Sequence, residues 1–125
     1  MERKRILLID DEASFTRLIK LNLEQIGPYE VRVENDGKVA FEAARQFRPH
    51  LVFLDVIMPE VDGGEVAAQI RADAQLKDTP IVFLTAVVSR ETVDAKGEKI
   101  GGNTFLAKPV TIQDVVAAIE KHIAV

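Results

Sequence analysis

What most constrains this chain is a regular alternation of short, unbroken apolar runs with longer segments of helical period. The apolar runs fall at residues 6–9, 51–54 and 81–84, with weaker ones at 31–33 and 104–107. An unbroken apolar run suits a strand covered on both faces, as in a parallel sheet, and the weaker runs suit sheet edges. Between the runs, Phe15, Leu18, Ile19, Leu23 and Ile26 share one helical face, as do Val39, Ala40, Ala43 and Phe47. Ile112, Val115, Val116, Ile119 and Ile123 repeat the pattern near the C-terminus. Such stripes are the core-facing sides of amphipathic helices.

Local signals punctuate the same pattern. Asp62 with Glu65, and Thr111 with Asp114, have the spacing of a capping box, in which a side-chain oxygen accepts from a free amide of the first helical turn. Gly27 and Pro28 stop the first helix, and Pro49 and Pro80 stand just before the third and fourth strands. A helix over 90–99 is interrupted by Gly97 and followed by Gly101 and Gly102. The order is therefore (βα)5, an α/β chain with right-handed crossovers and helices on both faces of one sheet. Placing the two weaker strands at the edges gives a five-stranded parallel sheet of order 2-1-3-4-5. There is no internal repeat, low-complexity tract or linker.

At 125 residues the chain corresponds to one domain, 1–125, which can bury enough surface to need no metal or disulfide staple. A net charge of −4 argues against a general nucleic-acid or anionic-membrane surface, which would need clustered cations. We expect no direct nucleic-acid contact, although DNA binding through an attached domain is compatible with this composition. The absence of cysteine removes thiolate metal sites and cysteine nucleophiles together. The basic start, Arg3, Lys4 and Arg5, is followed by too short an apolar run for a signal peptide, and no run has the length to span a membrane. A cytoplasmic location is expected.

Polar residues mark the C-terminal ends of four of the five runs: Asp10 and Asp11, then Asp55, Thr85 and Lys108. In an open parallel sheet, ligands bind outside the carboxyl ends of the strands, where the strand order reverses. Three carboxylates, a hydroxyl and an ammonium should therefore converge. Packed carboxylates repel one another, and a hard divalent cation relieves that. Mg2+ takes a few carboxylate oxygens along with water and phosphate oxygens, whereas imidazole and thiolate donors for zinc or copper are missing from the set. Lys108 offers fixed positive charge to Asp55 or to a phosphate on it, and Thr85 offers a hydroxyl donor. Phosphoryl transfer asks mainly for positioning and charge neutralisation, and a carboxylate nucleophile forming an aspartyl phosphate is established chemistry. Taken singly, an acid at a strand end is more often a helix cap, a Thr structural and a Lys solvated. The joint pattern shifts the balance.

From end to end, the sequence resembles the receiver domains of two-component response regulators. The carriers are Leu8, Ile9, Asp10, Asp11 and Glu12; residues 54–59 with Gly63; Leu84, Thr85 and Ala86; and Lys108 with Pro109. The resemblance implies a doubly wound flavodoxin-like fold, whose usual strand order is the one inferred above. It implies that Asp55 is the phosphoacceptor, and that Asp11, Asp55 and the backbone carbonyl of Ile57 hold Mg2+, with Asp10 acting largely through water. Thr85 and Lys108 would bind the phosphoryl group, and Phe105 matches the family's switch aromatic, paired with Thr85. The donor would be a sensor histidine kinase or histidine phosphotransfer protein, and the recipient an unspecified output domain or protein. Such a domain catalyses only its own phosphorylation and dephosphorylation.

Ile57 and Val87 stand where many relatives carry polar residues, which implies a slowly hydrolysed phosphoryl group. Ile57 also opposes a haloacid-dehalogenase-like phosphatase, which normally has an acid two residues after its nucleophile. A nucleotide- or flavin-binding module is disfavoured because no glycine-rich phosphate loop follows the first strand. His50 and His122 lie away from the carboxylates, and neither is expected to act in catalysis or metal binding.

Overall fold

The computed structural model describes residues 3–86, 99–100 and 103–123. Five parallel strands form the sheet: β1 (Lys4–Ile9), β2 (Tyr29–Glu34), β3 (Leu51–Asp55), β4 (Ile81–Thr85) and β5 (Asn103–Ala107). Their spatial order is β2-β1-β3-β4-β5, the expected 2-1-3-4-5. Beyond β5, a two-residue strand, Lys99–Ile100, pairs antiparallel with it, so β5 is not the outermost strand. The helices are α1 (Ala13–Ile26), α2 (Ala40–Phe47), α3 (Gly63–Ala72) and α4 (Ile112–His122). A 3-10 turn, Gly37–Val39, leads into α2. The helix expected over 90–99 and the residue Val87 lie outside the described residues.

Strand alternation builds two cores. Ile6 and Leu8, Leu51 and Phe53, and Val82 and Leu84 face α1 and α4, meeting Ile19, Leu23, Val115 and Ile119. Leu7 and Ile9, Val52 and Leu54, and Ile81 and Phe83 face α2 and α3, meeting Ala40, Ala43, Val66 and Ile70. All residues of β3 and β4 are buried, as unbroken apolar runs require.

Three details of the helices differ from expectation. Leu18 and Ile26 share a turn pattern with the buried Ile19 and Leu23, yet both are 59% exposed, and Leu21 is 54% exposed. Only a narrow stripe of α1 meets the sheet. Val39 is also exposed, because it belongs to the 3-10 turn rather than to α2. Thr111 and Asp114 form a full capping box. Asp62 instead accepts from the amide of Gly64, two residues on, so Glu65 does not complete a box there.

Candidate functional site

Parallel register carries the strand ends to one crest. Ile9 pairs with Leu54, Asp55 with Leu84, and Thr85 with Ala107. Asp10 therefore lies beside Asp55, and Lys108 follows directly on the residue that pairs with Thr85. A hydrogen bond from the Lys108 amide to the Thr85 carbonyl, 2.9 Å, fixes the start of the last loop. Another, from the Val56 amide to the Leu84 carbonyl at 3.0 Å, ties the end of β3 to β4.

Asp10 is fully buried and Asp55 nearly so, whereas Asp11 is exposed. One carboxylate oxygen from each lies within 4.8 Å of the other two. Asp10 Oδ1 accepts from the Glu12 amide at 2.9 Å, and the Asp10 carbonyl accepts from Asn35 Nδ2 at 2.7 Å. Asp55 Oδ1 accepts from the Ile57 amide at 3.3 Å. Lys108 Nζ stands 2.9 Å from Asp10 Oδ2, 2.9 Å from Glu12 Oε1 and 3.5 Å from Asp55 Oδ2. It also lies 5.9 Å from the centre of the Phe15 ring.

The electrostatics follow from this crowding. Burial and the neighbouring Asp10 charge raise the Asp55 carboxyl to about 6, against the opposing pull of Lys108 and the Ile57 amide. For Lys108, burial acts to lower the ammonium's pKa. Its contacts with Asp10 and Glu12 and the charges of Asp10 and Asp55 outweigh that and hold it above the ordinary lysine range. One ammonium does not neutralise this many carboxylates.

A hard divalent cation fits the donors present. They are all carboxylate oxygens, close enough to share one ion. Asp10 Oδ2 is buried and has Lys108 as an ion-pair contact but, among the described residues, no hydrogen bond of adequate direction. Such an atom is costly without further compensation. Ile57 leads into a short antiparallel hairpin, Ile57–Met58 with Val61–Asp62, and the residue is 64% exposed, its amide held to Asp55.

Thr85 is buried at the crest. It continues the β4 row of Ile81 and Phe83, so it belongs to the α2–α3 face, the opposite one from Asp55. Phe105 pairs with Phe83 across the strands, and their rings stack with centres 5.3 Å apart. The Arg71 guanidinium of α3 lies 5.8 Å from the Phe83 ring centre. Phe105 itself is half-buried.

Fold, crest chemistry and motifs agree with a single family. The model for the response regulator receiver domain matches residues 6–120. The chain belongs to the response-regulator receiver family. Receiver domains are signalling domains of two-component systems, and they generally bind Mg2+ at an acidic pocket of the kind formed here by Asp10, Asp11 and Asp55. Among similar proteins is the Synechocystis regulator RpaA, described as a DNA-binding dual master transcriptional regulator. It is 34% identical over 92% of this chain and 47% of its own length. The Bacillus subtilis regulator of alkaline phosphatase synthesis, PhoP, is 36% identical over 94% of this chain and 47% of its own. The structure of the Vibrio cholerae chemotaxis protein CheY4 superposes with a TM-score of 0.80 at 29% identity, covering 97% of this receiver and 99% of that chain.

The receiver thus spans about half the length of the curated relatives it matches. Because one of them is described as DNA-binding, the expectation of no nucleic-acid contact finds no support in them. No described helix is long and apolar enough to cross a membrane.

The residues expected at the site, Asp10, Asp11, Asp55, Ile57, Thr85 and Lys108, all come to this crest. Two neighbours escaped the sequence reading. Glu12 contacts Lys108, and Asn35 bridges the Asp10 carbonyl and Thr16 Oγ1. For Glu12 the signal was present, a third acid directly after the Asp pair. Asn35 sits in the loop after β2 with no motif to mark it. The histidines serve the scaffold: His50 Nδ1 accepts from the Arg5 amide at 2.8 Å, and His122 Nδ1 lies 2.9 Å from the Ala118 carbonyl oxygen.

Proposed function

We propose that residues 1–125 act as one phosphoacceptor receiver, taking a phosphoryl group onto Asp55 from a phosphohistidine of a sensor histidine kinase or histidine phosphotransfer protein. The observation that carries this is the ammonium of Lys108 reaching Asp10 and Asp55 together, at 2.9 and 3.5 Å, within a cluster of carboxylates at the strand ends. An Asp55 carboxylate oxygen attacks phosphorus as the P–N bond to imidazole breaks. The departing ring nitrogen keeps the bond's electron pair and takes up a proton. Mg2+, when bound, supplies charge neutralisation for the phosphoryl oxygens; Asp10, Asp11, Asp55 and the Ile57 carbonyl would hold it. Lys108 balances charge on one side of the phosphoryl group, and the Thr85 hydroxyl donates to one of its oxygens. Phe105 then changes its packing, altering the surface offered to an output domain or protein. The chain turns over no external substrate, and its place of work is the cytoplasm.

Acetyl phosphate with Mg2+ should add the mass of one phosphate. Asp55→Ala should abolish that gain, and labelling at an undiminished rate in this variant would overturn the assignment. The exposed Ile57 side chain gives an incoming water no hydrogen bond, so the acyl phosphate should be long-lived. Ile57→Asn should shorten its life, by at most about 10²-fold. Unchanged decay would remove that explanation.

A further inference from the structure

Lys108 has one short, well-directed hydrogen bond from its ammonium among the described residues, and the acceptor is not Asp55. It is Glu12, with Nζ to Oε1 at 2.9 Å, whereas the hydrogen bond to Asp55 is stretched to 3.5 Å. Glu12 occupies the N-cap position of α1, yet its side chain makes no capping hydrogen bond. The Asp10 carboxylate accepts from the Glu12 amide, leaving the Glu12 side chain to extend across the crest to the loop after β5. That side chain is 58% exposed against 18% for Lys108. An open recess of about 350 Å3, lined by Glu12, Phe15, Lys108, Pro109 and Val110, gives it room to swing away.

We propose that Glu12 is a positioning residue, a latch that holds the Lys108 ammonium back from Asp55 until a phosphoryl group draws it in. This rests on Asp55 being the acceptor. A phosphoryl group brings close to two negative charges and three acceptor oxygens. To donate to one of them, Lys108 exchanges an exposed carboxylate for a buried anion, and Glu12 is released to water. The latch opposes engagement by what an exposed ion pair is worth, which is small. It sets how readily the receiver is charged and leaves the identity of the acceptor unaltered.

The test is beryllofluoride binding at saturating Mg2+, followed by 19F NMR, in the intact chain and in Glu12→Gln, Glu12→Asp and Lys108→Met. Glu12→Gln should bind beryllofluoride about two- to fivefold more tightly, the range spanned by exposed ion pairs. Glu12→Asp keeps the charge but is one methylene short of Lys108, so it should behave like Glu12→Gln. Placed in the Lys108→Met background, Glu12→Gln should have no effect, because the partner through which it acts is gone. A general loss of nearby negative charge would produce the gain with or without Lys108, and would leave Glu12→Asp like the wild type. Either result overturns the latch, as does unchanged or weaker binding by Glu12→Gln. Wild-type protein that binds no beryllofluoride at all would overturn the acceptor reading and the latch together. A wild type that binds, with a Glu12→Gln variant that binds equally, removes the latch alone.

Discussion

The crest of the sheet has two halves built on different physics. On one side, Lys108 opposes Asp10, Glu12 and Asp55 across 2.9 to 3.5 Å, and Asp11 lies within 4.8 Å of the other two Asp carboxylates. On the other, Thr85 stands at the end of a row holding Phe83, stacked on Phe105, with the Arg71 guanidinium nearby. Charge interactions vary smoothly with distance, so the first half responds to any new anion placed among its members. Packed rings in a dense interior have discrete arrangements and deform little between them. The first half is suited to receiving a phosphoryl group and the second to reporting it. They meet where Asp55 pairs with Leu84, one residue before Thr85.

The largest expected difference between the halves comes from deleting one donor in each. Lys108→Ala removes the only ammonium among the carboxylates in the described residues, and should slow labelling by acetyl phosphate about 10²- to 10³-fold, the usual loss for a transition-state donor. Its Mg2+ affinity should hold or rise, because a cation's repulsion has gone. Thr85→Ala should bind Mg2+ normally and lose roughly tenfold or less in labelling, the worth of one neutral hydrogen bond. Asp11→Ala should lose most of its metal affinity. Calorimetric titration with Mg2+, beside labelling rates by mass spectrometry, separates the variants. Equal metal loss in Asp11→Ala and Thr85→Ala would erase the proposed division of roles.

Charge also gives the first half a pH dependence that the second lacks. Asp55 is raised to about 6 in the folded chain, from an ordinary value of about 4 once unfolded. The folded state therefore holds its proton more tightly than the unfolded chain does. The stability this contributes is fully present below about pH 4 and is lost as pH rises through about 6, amounting to at most about 3 kcal/mol. In metal-free urea denaturation, the wild type should lose stability relative to Asp55→Asn between those pH values. Mg2+ should restore it near pH 7, and below about pH 6 its apparent affinity should fall up to tenfold per pH unit. A constant difference between wild type and Asp55→Asn across the range would refute the strained carboxylate.

Gly63 tests the backbone under the charged half. A Cβ there would collide with the Asp55 carbonyl oxygen and lie 2.8 Å from Val56 Cα, both backbone atoms that cannot swing aside. Gly63→Ala should cost about 1–3 kcal/mol, the usual range for overpacking. Denaturant midpoints measure the cost. A stability within error of the wild type would mean that α3 can shift without disturbing Asp55.

How legible these halves were in the sequence depended on their physics. The strands that carry Asp10, Asp55 and Thr85 announce themselves by unbroken apolar runs, because burial on both faces leaves a pattern that no neighbour alters. The parallel register then follows, and with it the convergence of residues separated by up to 98 positions, from Asp10 to Lys108. Periodicity misjudged Leu18 and Ile26, since a helical stripe records hydrophobicity without saying how wide a contact the sheet offers. Spacing also suggested a capping box at Asp62 and Glu65 that the structure does not form, because Asp62 bonds a nearer amide. The Glu12 contact depends on side-chain reach across a loop junction, and the Phe83–Phe105 stack on a register of two strands. Glu12 is marked only as a third acid after the Asp pair, and the stack has no local signature at all.

That stack supplies the smallest effect and the finest discrimination. Aromatic pairs contribute about 0.5–1.5 kcal/mol beyond their buried area, so Phe83→Leu should cost little in stability yet loosen the hold on Phe105. Moving a switch from 1:99 to 99:1 takes about 5.5 kcal/mol, so a bias of about 1 kcal/mol alters populations without abolishing the response. Thr85 and Phe105 share the α2–α3 face, so under the proposed function a movement of Thr85 towards a phosphoryl oxygen would open space beside Phe105. In paired structures, one free and one with Mg2+ and beryllofluoride, Thr85 should shift and the half-buried Phe105 should become more buried. Phe83→Leu should show Phe105 in mixed arrangements even without the anion. If Thr85 stays in place and Phe105 keeps one rotamer in all four structures, the aromatic half is a fixed core and reports nothing. The charged half would then have to signal by another route, and the proposal that Asp55 is the acceptor would be untouched.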